Sequence, residues 1–187
     1  MEHCALQPPF DITGDLDTPV SAFLKLAAFA PRFLLESVEG GERLARYSFI
    51  GLGEGLEVRL DASGLTVDGR REPVPASGAA LLAALRTALA QAPRPQPDIA
   101  GVPLAGGLVG YAAYDVVRHF ERLPARSASG VPALHYVAPR SVLVFDHLTR
   151  GIALLHAGDE AERRARAQAG CRRCTTSHRA RCWCSIT

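Results

Sequence analysis

Between positions 56 and 61 the apolar Leu56, Val58 and Leu60 alternate with Glu57, Arg59 and Asp61. That period of two sets one face of a strand against a core and the other in water. Residues 65–67 extend the pattern after a Ser63-Gly64 turn, and Asp68-Gly69 marks a hairpin. Residues 32–38 read as a buried strand, and the Gly40-Gly41 turn leads to a second strand at 45–51, rich in aromatic and β-branched side chains. Further along, 106–111 predicts a glycine-containing strand and 133–145 a strand with a buried run at Val142, Leu143, Val144 and Phe145. Residues 146–150 then turn the chain into a last strand at 151–156.

Helical spacing replaces this alternation in two places. Over 18–30, Thr18 offers an N-cap and Pro19 a first helical residue. Val20, Phe23, Leu24, Ala27 and Ala28 follow one stripe until Pro31 stops the helix. Residues 78–91, dense in alanine and leucine, predict the second helix, and Pro93, Pro95 and Pro97 end it in a stiff surface connection. A short helix or turn is expected at 115–120 and a loop at 124–132. Strands outnumber helices without regular βαβ alternation, so the predicted class is α+β, mainly antiparallel sheet with a few helices and an irregular C-terminal tail.

Composition narrows the classes further. With 187 residues, 48% of them hydrophobic, the chain can bury one compact core, or one domain plus a tail. Its longest apolar runs are broken by Lys25 and Arg86, too short for the roughly 20 residues of a membrane span. The N-terminus lacks a basic flank followed by an apolar segment, so the reading is cytoplasmic, with no membrane partner. The formal charge of +2 conceals an asymmetry: residues 161–187 hold seven arginines against Glu162, leaving the first 160 residues at −4. A mildly acidic body offers no phosphate-binding stripe, and any nucleic-acid reading rests on the tail alone. One lysine, Lys25, against 20 arginines is the imprint of a GC-rich genome.

The cysteines divide the chain at the same place. Cys4 stands alone, while Cys171, Cys174, Cys182 and Cys184 crowd the end beside His178. A small module with a zinc-dependent or Arg-rich nucleic-acid-binding tail is one reading. Against zinc, the second pair is C-x-C, no glycine turn or apolar set surrounds it, and arginines fill the gaps. The abrupt change of composition near Ala169 favours an out-of-frame or truncated product. The expected division is therefore a domain over 1–165 and an aberrant, irregular tail over 166–187.

Four ordered blocks resemble a known family: DTPVSAFLKL (17–26), FLLESVEGGERLARYSFIG (33–51), GGLVGYAAYDVVRHFERLP (106–124) and SVLVFDH (141–147). They are similar to the N-terminal region of anthranilate synthase component I and its relative, aminodeoxychorismate synthase component I, and the likeness runs from about residue 10 to about 165. Ordered blocks at family spacing are far more specific than one short motif. The resemblance implies an enzyme of tryptophan biosynthesis that makes anthranilate from chorismate, with ammonia from a glutamine amidotransferase subunit and a Mg²⁺ ion held in a C-terminal domain this chain does not contain. The alternative is the N-terminal domain of an aminodeoxychorismate synthase component I of the folate pathway, from which these blocks do not separate it. No catalytic residue and no metal or cofactor site is then expected here. Instead the resemblance implies an L-tryptophan feedback pocket: Ser37 matches the principal tryptophan-binding serine, Leu35 and Glu36 its neighbours, and Pro19 another lining position.

Such a ligand needs an acceptor for its ammonium, donors for its carboxylate and an apolar slot for its indole. Glu36, the Ser37 hydroxyl, and Leu35, Pro19 and Tyr47 supply these in turn. Apart from the family, Glu36-Ser37 is a polar strand terminus, Tyr47 is either a core aromatic or a ligand contact, and Arg46 is a solvated strand charge. Gly106, Gly107 and Gly110 lack phosphate-loop spacing and read as close backbone packing in a sheet. Asp115 and Glu121 have no partner histidine and read as surface carboxylates.

Overall fold

The computed structural model describes residues 10, 12–14, 17–36, 46–124 and 130–174. Ten strands and three α-helices occur in them, and all strand pairings are antiparallel, the expected α+β class. Two compact units emerge, one built from residues 1–54, 94–106 and 139–187, the other from 55–93 and 107–138.

In the first unit β1 (Ile12–Thr13), β2 (Pro31–Leu35), β3 (Tyr47–Leu52), β9 (Ser141–Asp146) and β10 (Gly151–His156) form one sheet in the order β1-β10-β9-β3-β2. Its centre is β9, buried at all six positions. Leu143 and Phe145 meet the core under α1 (Pro19–Lys25) and α3 (Glu160–Cys174), while Val142 and Val144 face Phe49, Ala153, Leu155 and residues 99–105. Coverage on both faces is why this strand reads as an unbroken apolar run rather than an alternation. The expected strand at 32–38 is instead the half-buried edge strand β2, and positions 37–45 lie outside the described residues.

Helix α1 begins as its sequence requires, with the Thr18 side chain accepting a 3.1 Å hydrogen bond from the Ser21 amide and Pro19 at the first position. It is shorter than the expected 18–30: a 3-10 turn, Ala27–Phe29, follows, and Ala30 takes a left-handed φ of 50°. The buried side is Pro19, Ala22 and Leu26, whereas Val20 and Leu24 of the expected stripe are exposed. The helix is apolar nearly all round, so periodicity alone selects no face. Helix α3 crosses the boundary expected at 165. Asp159 accepts from the Glu162 amide at its start, and Arg163 and Arg164 hold the Glu160 carboxyl down at about 2 through their side-chain hydrogen bonds. Cys171 and Cys174 lie on this helix, and His178, Cys182 and Cys184 lie outside the described residues.

The second unit carries β4 (Leu56–Asp61), β5 (Gly64–Val67), β6 (Arg70–Glu72), β7 (Val109–Ala112) and β8 (Leu134–Ala138), ordered β6-β5-β4-β8-β7. The alternation predicted for 56–61 is realised, with Leu56, Val58 and Leu60 buried against α2 (Gly78–Gln91) through Leu81 and Ala88. Ser77 caps α2 by accepting from the Ala80 amide at 3.2 Å. Asp68 and Gly69 have φ of 48° and 77°, as a two-residue hairpin of this kind demands. The expected strand over 133–145 is two strands in different sheets, separated at Pro139-Arg140, where proline cannot donate to a ladder. Pro95, expected on the surface, is buried, and Gln96 bridges to the backbone of His156.

Gly110 in β7 pairs with Tyr136 of β8, and a Cβ there would overlap the His135 carbonyl oxygen. Gly110→Ala is therefore expected to destabilise the second unit by about 1–3 kcal/mol. Gly130→Ala, which meets nothing within 4 Å, should change the urea midpoint by less than about 0.5 kcal/mol equivalent. Equal effects of the two substitutions would contradict this account.

Candidate functional site

At one end of the first unit's sheet, the turn from β9 to β10 sits beside Gly14, the start of α1 and the end of β2. There lies a cavity of about 510 Å³, lined by Asp17, Pro19, Glu36, Asp146, His147 and Arg150, together with Gly14, Thr18, Phe145 and Gly151. Its volume falls within the roughly 300–1,000 Å³ of small-molecule sites.

Asp146 is the electrostatic anchor of this edge. Its side chain is 1% exposed, and Arg46 grips it from the start of β3 through Nε at 3.0 Å and Nη2 at 2.7 Å. Burial by itself would raise the Asp146 carboxyl. The Arg46 side chain, the Leu148 amide and the Thr149 side chain together hold it below the ordinary carboxylate value. The Arg46 guanidinium is raised chiefly by the same hydrogen bond and lies 4.9 Å over the Tyr47 ring. Arg46 is thus not the solvated strand charge expected from sequence, because its buried partner is 100 positions away. Next to it, Ser48 Oγ and His147 Nε2 are 2.8 Å apart.

Asp17 is the second desolvated acid, with its side chain 2% exposed. Its Oδ1 accepts from Ser21 Oγ at 3.0 Å and from Lys25 Nζ. Oδ2 is buried with no hydrogen-bond partner among the described residues.

The structure brings Pro19 and Glu36, 17 positions apart, to this cavity. Leu35 and Tyr47 do not line it. Successive strand residues point to opposite faces, so Leu35 shares a face with Phe33, and Tyr47 packs in the cluster of Phe49 and Val144, its ring 6.3 Å from that of Phe49. Ser37 lies outside the described residues. Sequence reasoning missed Asp17, Asp146, His147 and Arg150. The SVLVFDH block contained two of them, and an acid ending an apolar run was the available signal.

Two other polar groups bear on the chemistry. Ser141 Oγ is 2.9 Å from His156 Nδ1, and His156 Nε2 is 3.4 Å from Glu162. This resembles a nucleophile relay, yet Ser141 and His156 are both buried, and the chain of contacts ties β9 and β10 to α3. Gly110 packs as expected, but Gly106 and Gly107 take φ of 142° and 97° ahead of β7. Asp115 pairs with Arg118 at 3.1 Å. Among the described residues no three His, Cys, Asp or Glu side chains converge to hold a metal ion, and no helix is long and apolar enough to cross a membrane.

Comparison with known proteins identifies the family. No family model matches the chain. Anthranilate synthase component 1 of Thermus thermophilus is 44% identical over 152 residues, covering 80% of this chain and 31% of that protein. The Acinetobacter calcoaceticus protein of the same name is 35% identical over 168 residues, covering 83% and 33%. Among solved structures, anthranilate synthase component I from Streptococcus pneumoniae aligns with a TM-score of 0.49 and 22% identity, over 84% of this chain and 35% of that one. The chain belongs to the anthranilate synthase component 1 family, and it spans about a third of the length of these curated relatives.

The Arg46–Asp146 pair yields a test. Arg46→Ala strips one partner from a buried acid and should cost on the order of 3 kcal/mol, the low end of the range because Arg46 is itself a third exposed. Since the folded carboxyl is depressed, its stabilisation is complete above the unfolded value of about 3.9 and disappears as pH falls through the lower folded value. Urea unfolding should therefore show a wild-type advantage at pH 7 that narrows below about pH 4; a pH-independent gap would contradict the assignment.

Proposed function

We propose that this chain is the regulatory N-terminal part of an anthranilate synthase component I, acting in tryptophan biosynthesis and bearing part of an L-tryptophan feedback pocket. One observation carries the reading: Glu36 and Pro19, distant in sequence, line one cavity, and Glu36 precedes Ser37 in the sequence. Physically, the cavity offers carboxylates at Glu36 and Asp17 that suit the ammonium of an amino acid. The first unit, which holds this cavity, would then sense the effector. Conversion of chorismate to anthranilate, its Mg²⁺ and the contact with a glutamine amidotransferase subunit belong, on this reading, to the part of the relatives that this chain does not span. Feedback requires two sites and a difference in affinity between two states, of which this chain supplies one site.

Isothermal titration of the chain with L-tryptophan is expected to give weak binding, abolished in Ser37→Ala. Equal affinity in the variant would refute the pocket. Incubation of the chain alone with chorismate, Mg²⁺ and ammonia is expected to yield no anthranilate fluorescence, and turnover would overturn the regulatory reading.

A further inference from the structure

The geometry points to Asp17 as the charged receptor for the ligand's primary ammonium group, a residue outside the LLES motif and the tryptophan set matched to the family. The inference rests on the reading of the cavity as an amino-acid site. Three carboxylates reach it, in unequal states. Both oxygens of Asp146 are already taken, by Nε and Nη2 of Arg46. Glu36 is exposed, so water screens its charge. Asp17 is desolvated, where a charge acts through a low dielectric and is felt most strongly, and its Oδ2 has no partner among the described residues while Oδ1 is anchored by Ser21 and Lys25.

Asp17 lines the cavity, and of its two carboxylate oxygens Oδ2 is the one without a hydrogen-bond partner among the described residues. An ammonium entering there donates a charge-assisted hydrogen bond to Oδ2, which a ligand lacking the amino group does not do. The consequence is selectivity for α-amino acids over their des-amino analogues.

The test is titration calorimetry of the whole chain with L-tryptophan, L-phenylalanine and indole-3-propionate, which keeps indole and carboxylate but has no ammonium. In wild type L-tryptophan should bind more tightly than indole-3-propionate. Asp17→Asn should weaken L-tryptophan roughly tenfold or more and leave indole-3-propionate unchanged. Lys25→Met removes the competing cation and should tighten L-tryptophan several-fold; it carries the test if Asp17→Asn does not fold, as judged by circular dichroism. Unchanged L-tryptophan binding in Asp17→Asn, equal losses for both indoles, or no gain in Lys25→Met would overturn the assignment while leaving tryptophan binding intact. Asp17-dependent binding of L-phenylalanine without L-tryptophan would support the ammonium site and sink the tryptophan reading, and binding of neither amino acid would overturn both.

Discussion

The first unit depends on a strand that is buried on both faces and yet must begin and end in polar residues. β9 supplies apolar side chains to two cores at once, Leu143 and Phe145 to one and Val142 and Val144 to the other. Its ends are Ser141 and Asp146, both buried, and buried polar groups are tolerated only when paired. His156 on β10 meets the first, and Arg46 at the head of β3 meets the second. Both neighbours in the sheet are thereby fixed in register by polar contacts as well as by the backbone ladder.

That requirement also shapes the candidate site. To hold Asp146 the chain places Arg46 beside it, and the turn through His147 to Arg150 follows at once. The β-ladder then stops, the Asp17–Pro19 start of α1 and the end of β2 approach the same edge, and a cavity remains among groups of both signs. The Arg46-paired Asp146 fixes the end of the strand, while Asp17 is held at Oδ1 by Ser21 and Lys25 and Glu36 is exposed. The second unit has no corresponding device among its described residues. Its sheet buries one face under α2 and leaves Glu57 and His135, 2.7 Å apart, on the other.

Family membership was legible because four blocks kept their order and spacing, and the class because alternation and helical spacing occupy different stretches. The sequence determined by itself whatever depends on near neighbours: the alternation of β4, the ends of α2, the Asp68-Gly69 hairpin, and the Thr18-Pro19 start of α1. These follow from backbone sterics, capping and two- or 3.6-residue periods, which act over a few positions. Only the tertiary structure decided which face of α1 is buried, that the apolar stretch through 133–145 serves two sheets, that Arg46 answers a buried acid, and that Glu36 and Asp17 share a cavity while Leu35 does not. Those outcomes hang on contacts between residues tens of positions apart, and on which uniformly apolar surface is covered by which other. A local pattern carries no information about either.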